Sequence, residues 1–189
     1  QVGYSLTHNF LSDLGGYQSH SGDVNFIASF FFNVGMFLFV AVGIGFLYVP
    51  ALFIEDRVNY YLAIVGSALF FLGTSFFAGV GLTPYDLYLD LHVFFAINAF
   101  RFLVPASLLY FIMLLRSSVA NRFALVTGVY LVCVVAYVAY QIMGGNPFDS
   151  AEEMVRQASI QKLIVIASVV SVFSLSFAFE HQARLKTTH

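Results

Sequence analysis

The stretch Phe26-Ile27-Ala28-Ser29-Phe30-Phe31-Phe32-Asn33-Val34-Gly35-Met36-Phe37-Leu38-Phe39-Val40-Ala41-Val42-Gly43-Ile44-Gly45-Phe46-Leu47-Tyr48-Val49 carries no charged side chain. About 20 mostly apolar residues suffice for a helix to cross the hydrocarbon core of a bilayer, so this run is long enough to span one. Four more runs share its character, over residues 60–82, 91–115, 123–143 and 158–179. Their apolar residues follow one another continuously instead of alternating, which predicts helices and not barrel strands. Composition agrees: 60% of the 189 residues are hydrophobic and 10% charged, with 23 Phe and 11 Tyr. The expected fold is all-α, a polytopic transmembrane helix bundle forming one domain over residues 1–189. The single cysteine, Cys133, lies inside the fourth run, so it closes no intramolecular disulfide. With a net charge of -2 and no basic run, nothing points to nucleic acid.

The few polar residues fall in three clusters. The first runs from Thr7 through His8, Asn9, Phe10, Leu11, Ser12 and Asp13 to Gly16, with His20 and Asp23 close behind. The second is Thr83-Pro84-Tyr85-Asp86, followed by Asp90 and His92. The third is Asn146-Pro147-Phe148-Asp149, leading through Glu152 and Glu153 to Gln157, Gln161 and Lys162. Loop Lys and Arg residues set orientation. Arg57, Arg116, Arg122, Arg184 and Lys186 fall in segments that alternate correctly to share one side, expected to be cytoplasmic together with the C-terminus. The opposing segments, residues 1–23, 83–90 and 144–157, hold seven of the ten acids and only Arg156 as a basic residue. All three clusters are therefore expected on the extracytoplasmic side. Residues 1–23 show no export signal, which favours a further span ahead of Gln1, six in the intact protein, over a true five-span chain.

The segment His8-Asn9-Phe10-Leu11-Ser12-Asp13-Leu14-Gly15 resembles a signature of an uncharacterised prokaryotic integral-membrane family, domain of unknown function 998. There an Asn-x-Leu-Ser-Asp-Leu-Gly-like stretch follows a first transmembrane helix. Gly81-Leu82-Thr83-Pro84-Tyr85-Asp86, with His92 six residues on, is similar to that family's second signature, a Pro-x-Asp followed by a His. The resemblance implies a six-helix fold in a prokaryotic inner or cytoplasmic membrane, and no established activity. A more distant likeness is to the membrane hydrolases that include alkaline ceramidases, which use a Ser, an Asp and three His around zinc. It implies catalytic roles for Ser12, Asp13 and His92. The His-x-x-x-His pair of those enzymes is absent, its place taken by Gln157, Gln161 and Lys162.

Each polar residue has a bland and a functional reading. Asp13 beside Ser12 suits a metal ligand or a base, and equally a turn whose carboxylate accepts backbone N–H bonds. His8 and His20 read as surface histidines when taken singly. Arg101 lies deep in the third run, where a lone charge is costly, so it is expected to face the bundle interior and find a partner. Asp90 shares its helix face but sits about 16 Å away along the axis, which leaves Asn33, Asn98, Tyr hydroxyls, carbonyls or a bound anion. His92 points roughly opposite Asp90, and no second His lies at matching depth, which argues against haem. Gln157, Gln161, Ser168 and Ser171 fall within about 40° of one line on the fifth helix, a stripe suited to interhelical packing. The glycines at 35, 43, 45, 66, 73, 79 and 81 are expected to permit close helix contact.

Three functions compete. The leading expectation is a binding or accessory module whose polar end holds a lipid headgroup or a partner subunit, through His8, Asn9, Asp13, Asp86, Asp90, Arg101, Gln161 and Lys162. Membrane lipids, and other membrane subunits, are its expected partners. The alternative is a membrane hydrolase acting on a lipid, with Ser12, Asp13, Asp86 and His92 around a metal, zinc being the one the likeness suggests. A small transporter is the third, suggested by Arg101 near the midplane.

Overall fold

Five long helices account for the fold in the computed structural model, which describes residues 3–145, 147 and 149–187. Gln1, Asn146 and Phe148 lie outside the described residues. The helices are α1 (Phe26–Phe46), α2 (Arg57–Leu82), α3 (Leu89–Arg116), α4 (Asn121–Met143) and α5 (Ala151–Thr187). Two 3₁₀ turns, Leu11–Gly15 and Val49–Phe53, flank α1. No strand forms among the described residues. All five helices are long and apolar enough to cross a membrane. Lipid has no water to satisfy open backbone groups, and helices satisfy them internally.

Local chemistry sets several helix ends. Asp56 starts α2 by accepting the N–H groups of Val58 and Asn59 on Oδ1, at 3.0 and 3.1 Å. α5 starts at Ala151, ahead of the apolar run expected from residue 158. Ser150 Oγ accepts the Glu153 N–H at 3.1 Å, and Glu152 and Glu153 sit in the first turn, where the helix dipole favours acids.

Consecutive helices pack on one another, α2 and α3 most extensively. Small residues let them approach. Gly43 of α1 faces Thr74 of α2 so closely that a Cβ would lie 2.1 Å from Thr74 Oγ1. Gly73 of α2 faces the Ala99 carbonyl of α3, 3.1 Å from where its Cβ would be. Gly79 and Gly81 are similarly crowded, by Phe95 and by Asn33 with Met36. Gly35 and Gly45, expected in the same role, instead face open space. Rings of Phe46, Phe70, Tyr110 and Phe179 form the aromatic core that ties α1, α2, α3 and α5 together. Two buried hydroxyl pairs cross between helices: Ser67 with Tyr110 at 3.0 Å, and Ser168 with Tyr130 at 3.1 Å. The serine stripe of α5 thus serves packing at Ser168, while Ser171 is buried with no hydrogen-bond partner among the described residues.

Outward, the helices show large apolar side chains, among them Phe31, Leu38, Tyr61, Leu125, Val132, Leu163 and Phe173. Around five spanning-length helices, such a belt suits lipid and not water.

Candidate functional site

One end of the bundle gathers the start of α1, the α2–α3 connection and the start of α5, and the N-terminal segment lies across it. Main-chain groups of that segment are fastened by side chains from distant helices. Gln161 Oε1 on α5 accepts the Leu11 N–H at 2.7 Å. Lys162 Nζ donates to the Asn9 carbonyl and, at 3.1 Å, to the Ala158 carbonyl. The Asp86 carboxylate receives the consecutive N–H groups of Tyr17 and Gln18, each at 2.9 Å. Asn25 Nδ2 donates to the Leu14 and Gly16 carbonyls at 3.0 and 3.1 Å. Glycine is required beneath this strap: a Cβ on Gly15 would lie 2.4 Å from the Phe32 ring, and one on Gly16 2.8 Å from the Tyr85 ring.

Asp13 is the centre of what the strap encloses. Its side chain is 11% exposed, and Oδ2 accepts from Asn9 Nδ2 at 3.0 Å, from the Phe10 N–H at 3.1 Å and from His20 Nε2 at 3.0 Å. Oδ1 receives no hydrogen bond from the described residues. The Asp13 charge also acts on Tyr4, Tyr85, His92 and Lys162, so groups from the N-terminal segment, the α2–α3 connection, α3 and α5 converge on one carboxylate. Burial, with the Asp13 and Asp86 charges adding to it, pushes the Tyr85 phenol up to about 12, so it stays a neutral hydrogen-bond donor. Burial and then Asp13 likewise raise the Tyr4 phenol. Lys162 Nζ lies 5.8 Å from the centre of the Tyr4 ring.

Other expected site residues stand apart or are spent on structure. His92 is buried, and its Nδ1 must donate to the Thr83 carbonyl at 2.7 Å, since a carbonyl only accepts. It fastens the end of α2 to the start of α3. Asp86 is committed to main-chain amides. Ser12 makes no side-chain hydrogen bond to the described residues. His8 is exposed, with Nδ1 2.8 Å from Thr7 Oγ1, and Asp90 is exposed in the first turn of α3. Among the described residues no three His, Cys, Asp or Glu side chains converge to hold a metal. The donor set therefore does not fit the zinc of the hydrolase alternative. The third cluster divides: Gln161 and Lys162 join the strap, whereas Glu153 is bound by Arg156, by Tyr140 Oη at 2.9 Å and by Gln157 Nε2 at 2.8 Å.

Arg101 corrects a firm expectation. It is exposed on the outside of α3, not turned into the bundle, and no side chain among the described residues bonds it. The interior face of α3 is taken by Ala99, Phe100, Leu103, Ala106, Ser107 and Tyr110. Ala99 meets Gly73, and Tyr110 bonds Ser67, which fixes the helix rotation and sends residue 101 outward. Asn98, once a candidate partner, donates instead to the Phe94 carbonyl at 2.7 Å. Asn33 Nδ2 faces Ser29 Oγ at 3.5 Å, and its Oδ1 is buried without a hydrogen-bond partner among the described residues.

Tyr4 and Tyr85 are the participants that the sequence did not mark out as site residues. Tyr85 carried a signal, its place between Pro84 and Asp86; Tyr4 carried none.

The five spanning-length helices and their apolar belt define the class: an integral membrane helical bundle with a polar cluster at one end. No family model matches the chain, and no curated protein or solved structure matches it either.

Proposed function

We propose that the polar end of the bundle binds a phospholipid headgroup that carries a primary ammonium and a phosphate. The observation that carries this reading is Asp13: three donors occupy one carboxylate oxygen, the other is unspent, and neutral Tyr85 stands close by. A primary ammonium supplies N–H donors for Oδ1, and a charge-assisted bond of this kind is among the stronger hydrogen bonds. Lys162 and His20 offer cationic or hydrogen-bonding groups to the phosphate. The distribution of Lys and Arg supports an extracytoplasmic position for this end, with the C-terminus cytoplasmic. Lipid hydrolysis by Ser12, Asp13, Asp86 and His92 around zinc draws less support, because Asp86 and His92 are already engaged with the backbone.

The test is lipid retention in native mass spectrometry after reconstitution with phosphatidylethanolamine, phosphatidylcholine or phosphatidylglycerol. Phosphatidylethanolamine should be retained best. Asp13→Asn should weaken its binding about tenfold or more, the equivalent of ~1.4 kcal/mol. Asp90→Asn should leave it unchanged. Equal retention of the three lipids, or an Asp13→Asn variant that binds like wild type, would remove the reading.

A further inference from the structure

The outer face of α3 carries a polar patch where a lipid-facing helix should be apolar. Phe94, Asn98, Arg101, Pro105, Leu108 and Ile112 fall within about 60° of one line down this face. Phe94, Leu108 and Ile112 are exposed, as lipid-facing residues should be. Arg101 lies among them, exposed and bonded by no side chain among the described residues. It follows Leu89 by about 18 Å of a helix about 42 Å long. In a helix centred on a 30 Å hydrocarbon core, that is about 12 Å below the nearer boundary. A guanidinium on a three-methylene stem does not snorkel that far.

Two further polar groups sit at the same level. Pro105 has no N–H, so the Arg101 carbonyl lacks the regular donor four residues on. Asn98 spends its amide N–H on the Phe94 carbonyl and keeps its own oxygen unengaged among the described residues. A cation, a bare carbonyl and an amide oxygen within two turns are each costly against lipid. Together they describe half of a polar contact.

We propose that this face of α3 docks a transmembrane helix of a partner protein that carries a carboxylate at the depth of Arg101. Charge complementarity selects that occupant. Residues 1–189 of a second copy offer no such group: their ten acids lie in the connections, at helix ends or, for Glu180, toward the far end of α5. A symmetric pair would instead set Arg101 near Arg101. Lipid phosphates lie at the boundary, above the guanidinium. The inference is independent of the headgroup site, which lies at the bundle's end and uses none of these residues.

The test uses the full chain in phosphatidylcholine bilayers with labelled apolar transmembrane peptides bearing a central Glu or, as control, a central Leu. Association is read by energy transfer. The Glu peptide should associate at least about tenfold more tightly than the Leu peptide. Arg101→Leu should abolish the preference, and Arg101→Lys should keep part of it; residue 101 faces outward, so the bundle tolerates both. Asp90→Asn, on the same face but at the helix end, should change nothing. Three results overturn the proposal: no preference in wild type, a preference that survives Arg101→Leu, or a preference erased by adding phosphatidylglycerol, which would make a lipid phosphate the partner. Self-association of the wild type that is lost on Arg101→Leu would also overturn it, in favour of a second copy.

Discussion

Asp86→Ala should release the N-terminal strap while leaving the helices intact. In the wild type the Asp86 carboxylate receives two consecutive main-chain amides, those of Tyr17 and Gln18, at 2.9 Å each. A hydrogen bond to a charged group contributes about 1.5–3 kcal/mol. Asp86 is exposed, so water competes for both bonds, and the pair together is worth about 2–3 kcal/mol at most. At 1.36 kcal/mol per decade, local opening should become roughly 30- to 150-fold more frequent. Hydrogen exchange on the full chain in nanodiscs reads this directly: protection should fall by that factor at Tyr17 and Gln18 and by less toward Leu11. The middle turns of α2 and α4 should exchange as before. Asp86→Asn keeps one carbonyl acceptor without the charge and should fall between the two. If the Asp86→Ala amides at 17 and 18 stay within about threefold of wild type, the carboxylate does not hold the strap and the reasoning fails. A loss of protection throughout α3 would fail it differently, by making Asp86 a determinant of the bundle.

Three further outcomes follow from the packing and the polar end. Gly15→Ala sets a methyl 2.4 Å from the Phe32 ring, and overpacking of this kind costs about 1–3 kcal/mol; thermal unfolding should show it, and Phe32→Leu in the same chain should recover most of it. Tyr110→Phe strands the buried Ser67 hydroxyl, and buried interhelical pairs in membrane proteins are worth about 0.6–1.7 kcal/mol, a loss that a Ser67→Ala/Tyr110→Phe cycle should reduce. The near-ultraviolet titration difference between wild type and Tyr85→Phe should isolate a phenol ionising near pH 12, and Asp13→Asn should move that component down. Because folding raises the Tyr85 phenol above its ordinary value near 10, its contribution to stability is complete below that pH and is lost as pH climbs toward 12.

Much of the fold is legible because lipid imposes it. Charge-free runs such as 123–143 leave little choice, and α4 indeed spans Asn121–Met143. α5 escaped in part, since Glu152, Glu153 and Gln157 look like a connection by hydropathy. The Ser150-x-x-Glu153 spacing was the available signal, a helix start written in capping chemistry. The site was legible in its members and not in their duties. Asp13, Lys162 and Gln161 are visible as rare polar groups in an apolar chain. That Asp86 caps amides 69 and 68 residues before it, or that His92 is held by the Thr83 carbonyl at the end of α2, is decided by how three segments meet. No local pattern records it.

Arg101 shows where reasoning from one helix stops. Helical periodicity fixes the angle between residues 99, 101 and 106, but not which of them faces the neighbours. That zero is set by the close approach of Gly73 to Ala99, a contact between two helices. The rule that a charge at this depth must be paired was sound; the step that failed was the expectation that α3 turns residue 101 toward the bundle interior. A charge facing lipid from the outside of a bundle obeys the same electrostatics, and the demand for a counter-group then passes to whatever molecule lies against α3. The expected interior partner and the proposed exterior one are thus one requirement, and the packing of α2 on α3 decides which side must meet it.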